Sequence, residues 1–145
     1  MRAARPAPTG AWLRVSGRLA LALLCGCGQE QAAREQAERV SRAIDALVAA
    51  DARARAAPLA VLRDTACTLP DVCAARQACV DAFAPQVEAA ARQREARALL
   101  DRHDPSLTPQ IDVKLDEAER LQGQARSLQD GCLAAATAMR QAHRL

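Results

Sequence analysis

Cysteine is the residue type in this sequence with the clearest chemical potential. Four of the six cysteines lie well inside the chain, at Cys67, Cys73, Cys79 and Cys132. Five residues separate Cys67 from Cys73 and another five separate Cys73 from Cys79, while His103 and His143 are far away in sequence. This does not match the short paired spacings of a zinc site. A thioredoxin-like redox site would need a CxxC motif, which is missing. In an exported chain, this even set predicts two disulfides and no bound metal.

The first 27 residues carry the pattern of an export signal. Four arginines and no acidic residue precede a short apolar run, Leu19 to Leu24. The run is too short to cross a membrane as a helix. It leads into Leu24-Cys25-Gly26-Cys27, which resembles the lipobox of bacterial lipoproteins, with a leucine three residues before a cysteine and a small residue just before it. The resemblance implies that residues 1–26 are removed as a signal peptide and that Cys27 receives the lipid.

This resemblance also implies where the mature chain resides. A cut before Cys25 would place the bulkier Leu24 at the cleavage site, so Cys27 is the favoured lipidation site. Gly28 follows it, and not the aspartate that retains lipoproteins at the inner membrane in enteric bacteria. We therefore expect an exported protein held at the cell outer membrane by lipid on Cys27, facing the periplasm or the cell surface. Residues 27–33 would form the tether.

Removing the signal peptide changes the charge balance. The full chain has 20 basic and 17 acidic residues, and four arginines leave with residues 1–26, so 16 basic residues remain. Trp12 also leaves, and Phe83 is then the only aromatic residue. Nucleic-acid binding needs a surface that neutralises phosphates and usually rings on which bases can stack. The mature chain has no excess of basic residues and only one aromatic ring. Nucleic acid is therefore not expected as a partner.

Apolar residues in the mature chain recur at steps of three and four, which predicts helices. The first is expected over about 30–66, with a kink or break at Pro58 because proline disfavours helical geometry at the preceding residue. Leu69-Pro70-Asp71 marks the start of a second helix, over about 71–103. Asp104-Pro105-Ser106 ends it, and Thr108-Pro109 begins a third, over about 109–143.

Three helices of similar length with short connections predict an all-α domain over residues 34–145. The expected architecture is an elongated, antiparallel three-helix bundle with up-down-up topology and coiled-coil-like packing. Cys67 and Cys73 would then face each other across the first turn. With the second turn near Ser106, Cys132 lies opposite Val80 and next to Cys79, which favours the pair Cys79–Cys132. The rival pair, Cys73 with Cys132, requires a register offset of about 10 Å or more.

No pattern in the mature chain predicts catalysis or a cofactor. No grouping of serine, histidine and acid suggests a nucleophile, and there is no glycine-rich phosphate loop. The acidic cluster Asp112, Asp116, Glu117 and Glu119 is typical of a helix start and does not match a calcium loop. We interpret the chain as a non-enzymatic envelope lipoprotein with a helical structural or protein-interaction role, through a protein partner or self-association. The alternative is a periplasmic small-ligand carrier or chaperone-like binder with a groove between helices.

Overall fold

The computed structural model describes residues 22–145, with side chains from Gly28 onward. Most of the predicted signal peptide, and the side chains of Cys25 and Cys27, lie outside the described residues. Residues Ala33–Leu145 form one compact unit. Within the described range every regular element is helical, so the all-α expectation is confirmed for this part of the chain.

Four α-helices and one short 3₁₀ turn make up the described chain. They are α1 (Ala22–Ala49), α2 (Ala56–Asp64), α3 (Pro70–Leu100), a 3₁₀ turn (Pro105–Leu107) and α4 (Thr108–His143). Pro70 is the first residue of α3, where its missing N–H has no helical partner to lose. At the end of α3, His103 adopts a left-handed backbone with φ of 54°. Asp104 then accepts hydrogen bonds from the amide and hydroxyl of Ser106, which starts the 3₁₀ turn.

Helices α3 and α4 form an antiparallel hairpin. At one end Asp71 of α3 contacts His143 of α4, with 2.7 Å between Oδ2 and Nε2. Farther along, Cys79 is bonded to Cys132, and Glu95 contacts Lys114 at 3.1 Å. Later residues of α3 thus meet earlier residues of α4. This is the relation that the sequence predicts for its second and third helices.

The first part of the chain departs from the predicted single helix over about 30–66. Helix α1 ends at Ala49, and residues 50–55 reverse the chain direction into the short α2. The Gln36 side chain of α1 accepts hydrogen bonds from the amides of Thr68 and Leu69, which come just before α3. Arg55, just after α1, instead contacts Phe83 and Gln86 in the middle of α3.

These contacts overturn the predicted up-down-up connectivity. Because Gln36 lies near the start of α3 and Arg55 near its middle, α1 and α3 run parallel. The segment containing α2 runs back between them: Arg76 of α3 donates to the carbonyl oxygen of Thr65 at 2.7 Å. The domain therefore has four helical segments in alternating directions, the second of them short. The predicted three-helix bundle, in which one helix over about 30–66 runs antiparallel to the next, is therefore not confirmed.

The position of the break has a local physical reason. Pro58 is the third residue of α2, in the first turn, where a backbone N–H has no intrahelical acceptor. The proline therefore does not break a helix; it lies near the beginning of one. The reversal is held by Arg55, whose Nε donates to the carbonyl oxygen of Ala50 at 3.1 Å. A second donor of the same guanidinium, Nη1, reaches Oε1 of Gln86 on α3.

The main hydrophobic core joins all four helices on the side of the domain near the disulfides. Its largest fully buried side chains are Phe83, Ile44, Leu47, Leu62, Met139, Val40, Val72, Cys79 and Cys132. Many of the other buried residues are alanines, which contribute little apolar area each. Two disulfides are present, Cys67–Cys73 beside the start of α3 and Cys79–Cys132 within the core. These are the same two cysteine pairs that the sequence favours.

The α3–α4 hairpin extends past Gln86, the residue that Arg55 of the reversal contacts. In this part neither α1 nor α2 packs against it. We call residues 88–122 the distal hairpin. It buries a second, small cluster of Ala89, Ala118 and Leu121 between its two helices. Several larger apolar side chains of this part stay exposed, including Leu100, Val113 and Leu115. The early reversal after α1 therefore leaves one side of the distal hairpin uncovered by the other described residues.

Candidate functional site

An open groove runs along the uncovered side of the distal hairpin. Its volume is about 950 Å³. The reversal contributes Ala52 and Arg53, α3 contributes Arg94, Arg97 and Leu100 among others, and α4 contributes Leu115. We call this feature the basic groove. It exists because the chain turns back at residues 50–55, where a longer first helix would have covered α3 and α4.

The charged side chains of the groove are mostly positive. Arg53, Arg94 and Arg97 line it, with Asp101 and His103 toward one end. All three arginines are exposed, and none forms an ion pair with another residue of the described chain. The floor is apolar and shallow, since Ala90 and Ala96 supply it. Such a surface can attract an anionic group electrostatically and still provide apolar contact beside it.

A smaller recess of about 220 Å³ lies next to the groove. Three glutamine side chains line it, Gln86, Gln93 and Gln122, together with Ala52 and Arg126. Glutamine amides both donate and accept hydrogen bonds, so the recess suits polar groups of either kind. The groove and the recess share Ala52, Ala90 and Gln93, and thus form one continuous surface.

A network of charges spans the two helices of the distal hairpin. Arg92 lies 3.1 Å from both Glu95 and Glu117, and Lys114 lies 3.1 Å from Glu95. The hydrogen bonds from Lys114 and Arg92, followed by their charges, lower the pKa of Glu95, while the bond to Glu95 raises the pKa of Arg92. Nε of Arg92 and Oε2 of Glu117 are close in distance but not aligned as a hydrogen bond. The network holds α3 and α4 in register beside the groove.

Comparison of the chain with protein-family models, with curated proteins and with solved structures finds no match.

The predicted site residues do not line the groove. Cys67 lies just before α3, Cys73 lies in its first turn, and Cys79 and Cys132 lie in the core. The predicted lipidation site, Cys27, lies where the structure describes no side chains. Among described residues, no cluster of three or more histidine, cysteine, aspartate or glutamate side chains could hold a metal ion. Within the same range, no helix combines the length and apolar character needed to cross a membrane.

The basic groove is not among the features that the sequence predicts. Arg94 and Arg97 are three residues apart and therefore share a helix face, but that spacing is common on exposed helices. Arg53 is placed beside them by the chain reversal, which no glycine or proline within residues 50–55 announces. No local signal in the sequence could have assembled these three arginines.

The contact between Asp71 and His143 predicts a specific response to acid. Burial raises the pKa of Asp71, but the hydrogen bond with His143, the Val72 amide and the His143 charge together lower it below its ordinary value of 3.8. A carboxyl group with a lowered pKa stabilises the fold above its unfolded pKa, and this stabilisation is lost as pH falls through the folded pKa. We expect D71N to reduce the free energy of unfolding at neutral pH and to weaken its decline below about pH 4.

Urea unfolding followed by circular dichroism, repeated from neutral pH to about pH 2, measures this effect. The control is D130N, because Asp130 is exposed and makes no ion pair with another described residue. Glu95 and Asp104 also have lowered pKa values, so some decline at low pH remains in the variant. Identical pH profiles for D71N and D130N would show that the Asp71–His143 contact does not stabilise the fold.

Proposed function

We propose that the protein is an exported envelope lipoprotein whose helical domain has a protein-interaction or structural role and is not an enzyme. In this proposal residues 1–26 are a signal peptide, and lipid on Cys27 holds the mature chain at the cell outer membrane. The lipobox resemblance of Leu24-Cys25-Gly26-Cys27 supports the anchoring. The presence of two disulfides also fits an oxidising compartment outside the cytosol.

The observation that carries the interaction role is the uncovered side of the distal hairpin. A helix pair that serves only as a scaffold would be expected to bury its apolar side chains against a neighbouring segment. Here Leu100 and Leu115 are exposed beside three arginines that lack ion-pair partners in the described chain. A surface with apolar contacts and unpaired charges at its edge resembles the core and rim of a protein interface.

The groove also bears on the alternative role, a periplasmic carrier of small ligands. Ligand sites usually enclose most of the surface of their ligand within apolar walls. The basic groove is large enough, at about 950 Å³, but it is open and has an alanine floor between arginines. An extended partner with negative charge suits this shape better than an enclosed small molecule, so we place the carrier role second.

Intact-mass analysis of the protein purified from the envelope of an expressing Gram-negative host tests the anchoring. The expected mature chain begins at Cys27 and carries the mass of a diacylglyceryl group. The variant C27S should lose this modification and no longer be held in the membrane fraction by lipid. C25S, the matched control, should retain the modification and the lipid anchoring. A native chain that begins at Met1, or a mature chain with unmodified Cys27, contradicts the proposal.

Photocrosslinking tests the interaction role independently of the anchor. A photoreactive residue placed at Gln93, which lines both the groove and the recess, should yield protein adducts in intact envelopes. The same probe at exposed Arg39 of α1 serves as the control. Equal adduct patterns at the two positions would remove the groove as an interaction surface. Specific labelling of Gln93 by a small molecule, without a protein adduct, would favour the carrier role.

A further inference from the structure

One face of α4 is the electrostatic complement of the basic groove. Asp112, Asp116 and Glu119 are spaced by four and three residues, so they lie on the same side of the helix. All three are exposed, and none forms an ion pair with another described residue. Glu117, which points between the helices toward Arg92, is not part of this set. We call Asp112, Asp116 and Glu119 the acidic face.

Among the described residues, the acidic face forms no ion pair with the groove arginines of its own molecule. The buried side of α4 in this region is marked by Ala118 and Leu121, which pack toward α3. At 100° per residue, Asp112 and Asp116 lie nearly opposite these residues and point away from the hairpin. Leu115, which lines the groove, lies between the buried side and the acidic face, within one helical turn of Asp112 and Glu119. The two charged surfaces therefore lie side by side on the same hairpin.

The two surfaces carry opposite charges in equal number. The acidic face extends seven steps along α4 from Asp112 to Glu119, which is roughly 10 Å at the helical rise. The basic groove is longer, because its lining runs along α3 from Ala90 to Leu100 and on to His103. Three negative charges on one surface thus have three positive charges as potential partners on the other.

We propose that the basic groove binds the acidic face of a second copy of this chain. Because both surfaces lie on the distal hairpin, a two-fold axis between two antiparallel hairpins allows each copy to supply one groove and one acidic face. The exposed Leu100 and Leu115 of the two copies add apolar contact near the charges. This proposal names the partner within the interaction role proposed above, and rests on it.

The strength of such a contact follows from its chemistry. Exposed ion pairs contribute little individually and are screened by salt. We therefore expect a reversible dimer that weakens as the salt concentration rises. Sedimentation of the full chain in a density-matched detergent measures the dissociation constant. We expect R94E/R97E and D112R/D116R each to raise it by about tenfold or more.

The decisive arm mixes the two reversed variants. R94E/R97E has an acidic groove and an acidic face, whereas D112R/D116R has a basic groove and a basic face. A mixed pair therefore regains both complementary contacts, and the mixture should associate more strongly than either variant alone. The control R39E/R63E makes the same change in net charge as R94E/R97E, but at exposed arginines outside the groove. It should leave the dissociation constant at the wild-type value. Circular dichroism of every variant verifies the helical fold.

Carbodiimide coupling then identifies the contact. The reagent joins amines to carboxylates, and the chain has a single lysine, Lys114. In a mixture of isotopically light and heavy R97K chains, we expect mixed-isotope crosslinks from position 97 to Asp112, Asp116 or Glu119. R39K should give none to these residues.

Three results would overturn the pairing of copies. They are a monomeric wild-type chain at millimolar concentration, association that charge reversal does not change, and a mixture of reversed variants that fails to recover. If the Gln93 photoprobe still captures another envelope protein in that case, the interaction role survives without self-association. If it captures no protein either, both proposals fail.

Discussion

Replacing both Cys79 and Cys132 with alanine is expected to lower the free energy of unfolding by about 4 kcal/mol. The reason lies mainly in the unfolded chain, because a disulfide limits the conformations available to the loop that it closes. This disulfide joins residues 53 positions apart. The same relation gives roughly 2 kcal/mol for Cys67–Cys73, which joins residues only six positions apart.

The folded state adds to this difference. Cys79 and Cys132 are fully buried and join α3 to α4 within the main core, whereas Cys67 is only partly buried. Alanine at both core positions removes sulfur atoms from a packed interior and leaves space that neighbouring residues fill incompletely. Because small domains have a total stability of about 5–15 kcal/mol, the loss could remove most of the folded population at elevated temperature.

Denaturant unfolding of the oxidised wild-type chain, C79A/C132A and C67A/C73A measures the two losses under the same conditions. The variant C67A/C73A is the matched control. It also removes one disulfide, but that disulfide closes only a short loop. Equal losses for the two double variants would contradict the loop-length argument. A single variant is less informative because it leaves a free thiol that can exchange with the remaining disulfide.

The sequence was sufficient to predict those parts of the fold whose signals are local. Pro70 and the break at Asp104–Pro105 mark the ends of α3 and the approach to α4, and the residues themselves favour those breaks. The hairpin geometry then follows from a short connection, and its register places Cys79 beside Cys132. Local chemistry, helix period and connection length act together here.

The reversal at residues 50–55 could not be predicted in the same way. The apolar spacing of three and four residues continues through it, and neither glycine nor proline occurs there. What selects the turn is a set of contacts distant in sequence, from Arg55 to Phe83 and Gln86. Pro58 correctly indicates that the first helical segment is interrupted nearby. The residue alone does not show whether it breaks a helix or lies in the first turn of a new one, because the two cases differ only in the conformation of the preceding residues.

The basic groove shares this limitation because it results from the reversal. Arg53 belongs to the turn, and Arg94 and Arg97 belong to α3. Their proximity depends on where α1 ends, which the sequence pattern leaves undetermined. The acidic face, in contrast, comes from one continuous helix and could be identified from spacing, although its exposure depends on which side of α4 packs against α3.

Phe83→Ala is expected to destabilise the domain by about 3–5 kcal/mol, the range for removing a large aromatic side chain from a packed core. Phe83 is the only aromatic residue that the structure describes and is 1% exposed. The alanines around it cannot extend into the space that its ring leaves. F83L keeps most of the apolar volume and should cost less. L133A, at an exposed apolar residue of α4, is the control and should change stability by about 0.5 kcal/mol or less.

A double-mutant cycle with Arg55 separates the cavity from the role of Phe83 in the chain reversal. The Arg55 guanidinium carbon lies 5.3 Å from the centroid of the Phe83 ring, within the range of a cation–π interaction. If the ring helps to hold the reversal, R55M and F83L together should cost less than the sum of the two single losses, with a coupling of about 0.5–2 kcal/mol. Strict additivity would mean that Phe83 stabilises the core alone. The reversal, and with it the uncovered groove, would then depend on the hydrogen bonds from Arg55 to Ala50 and Gln86.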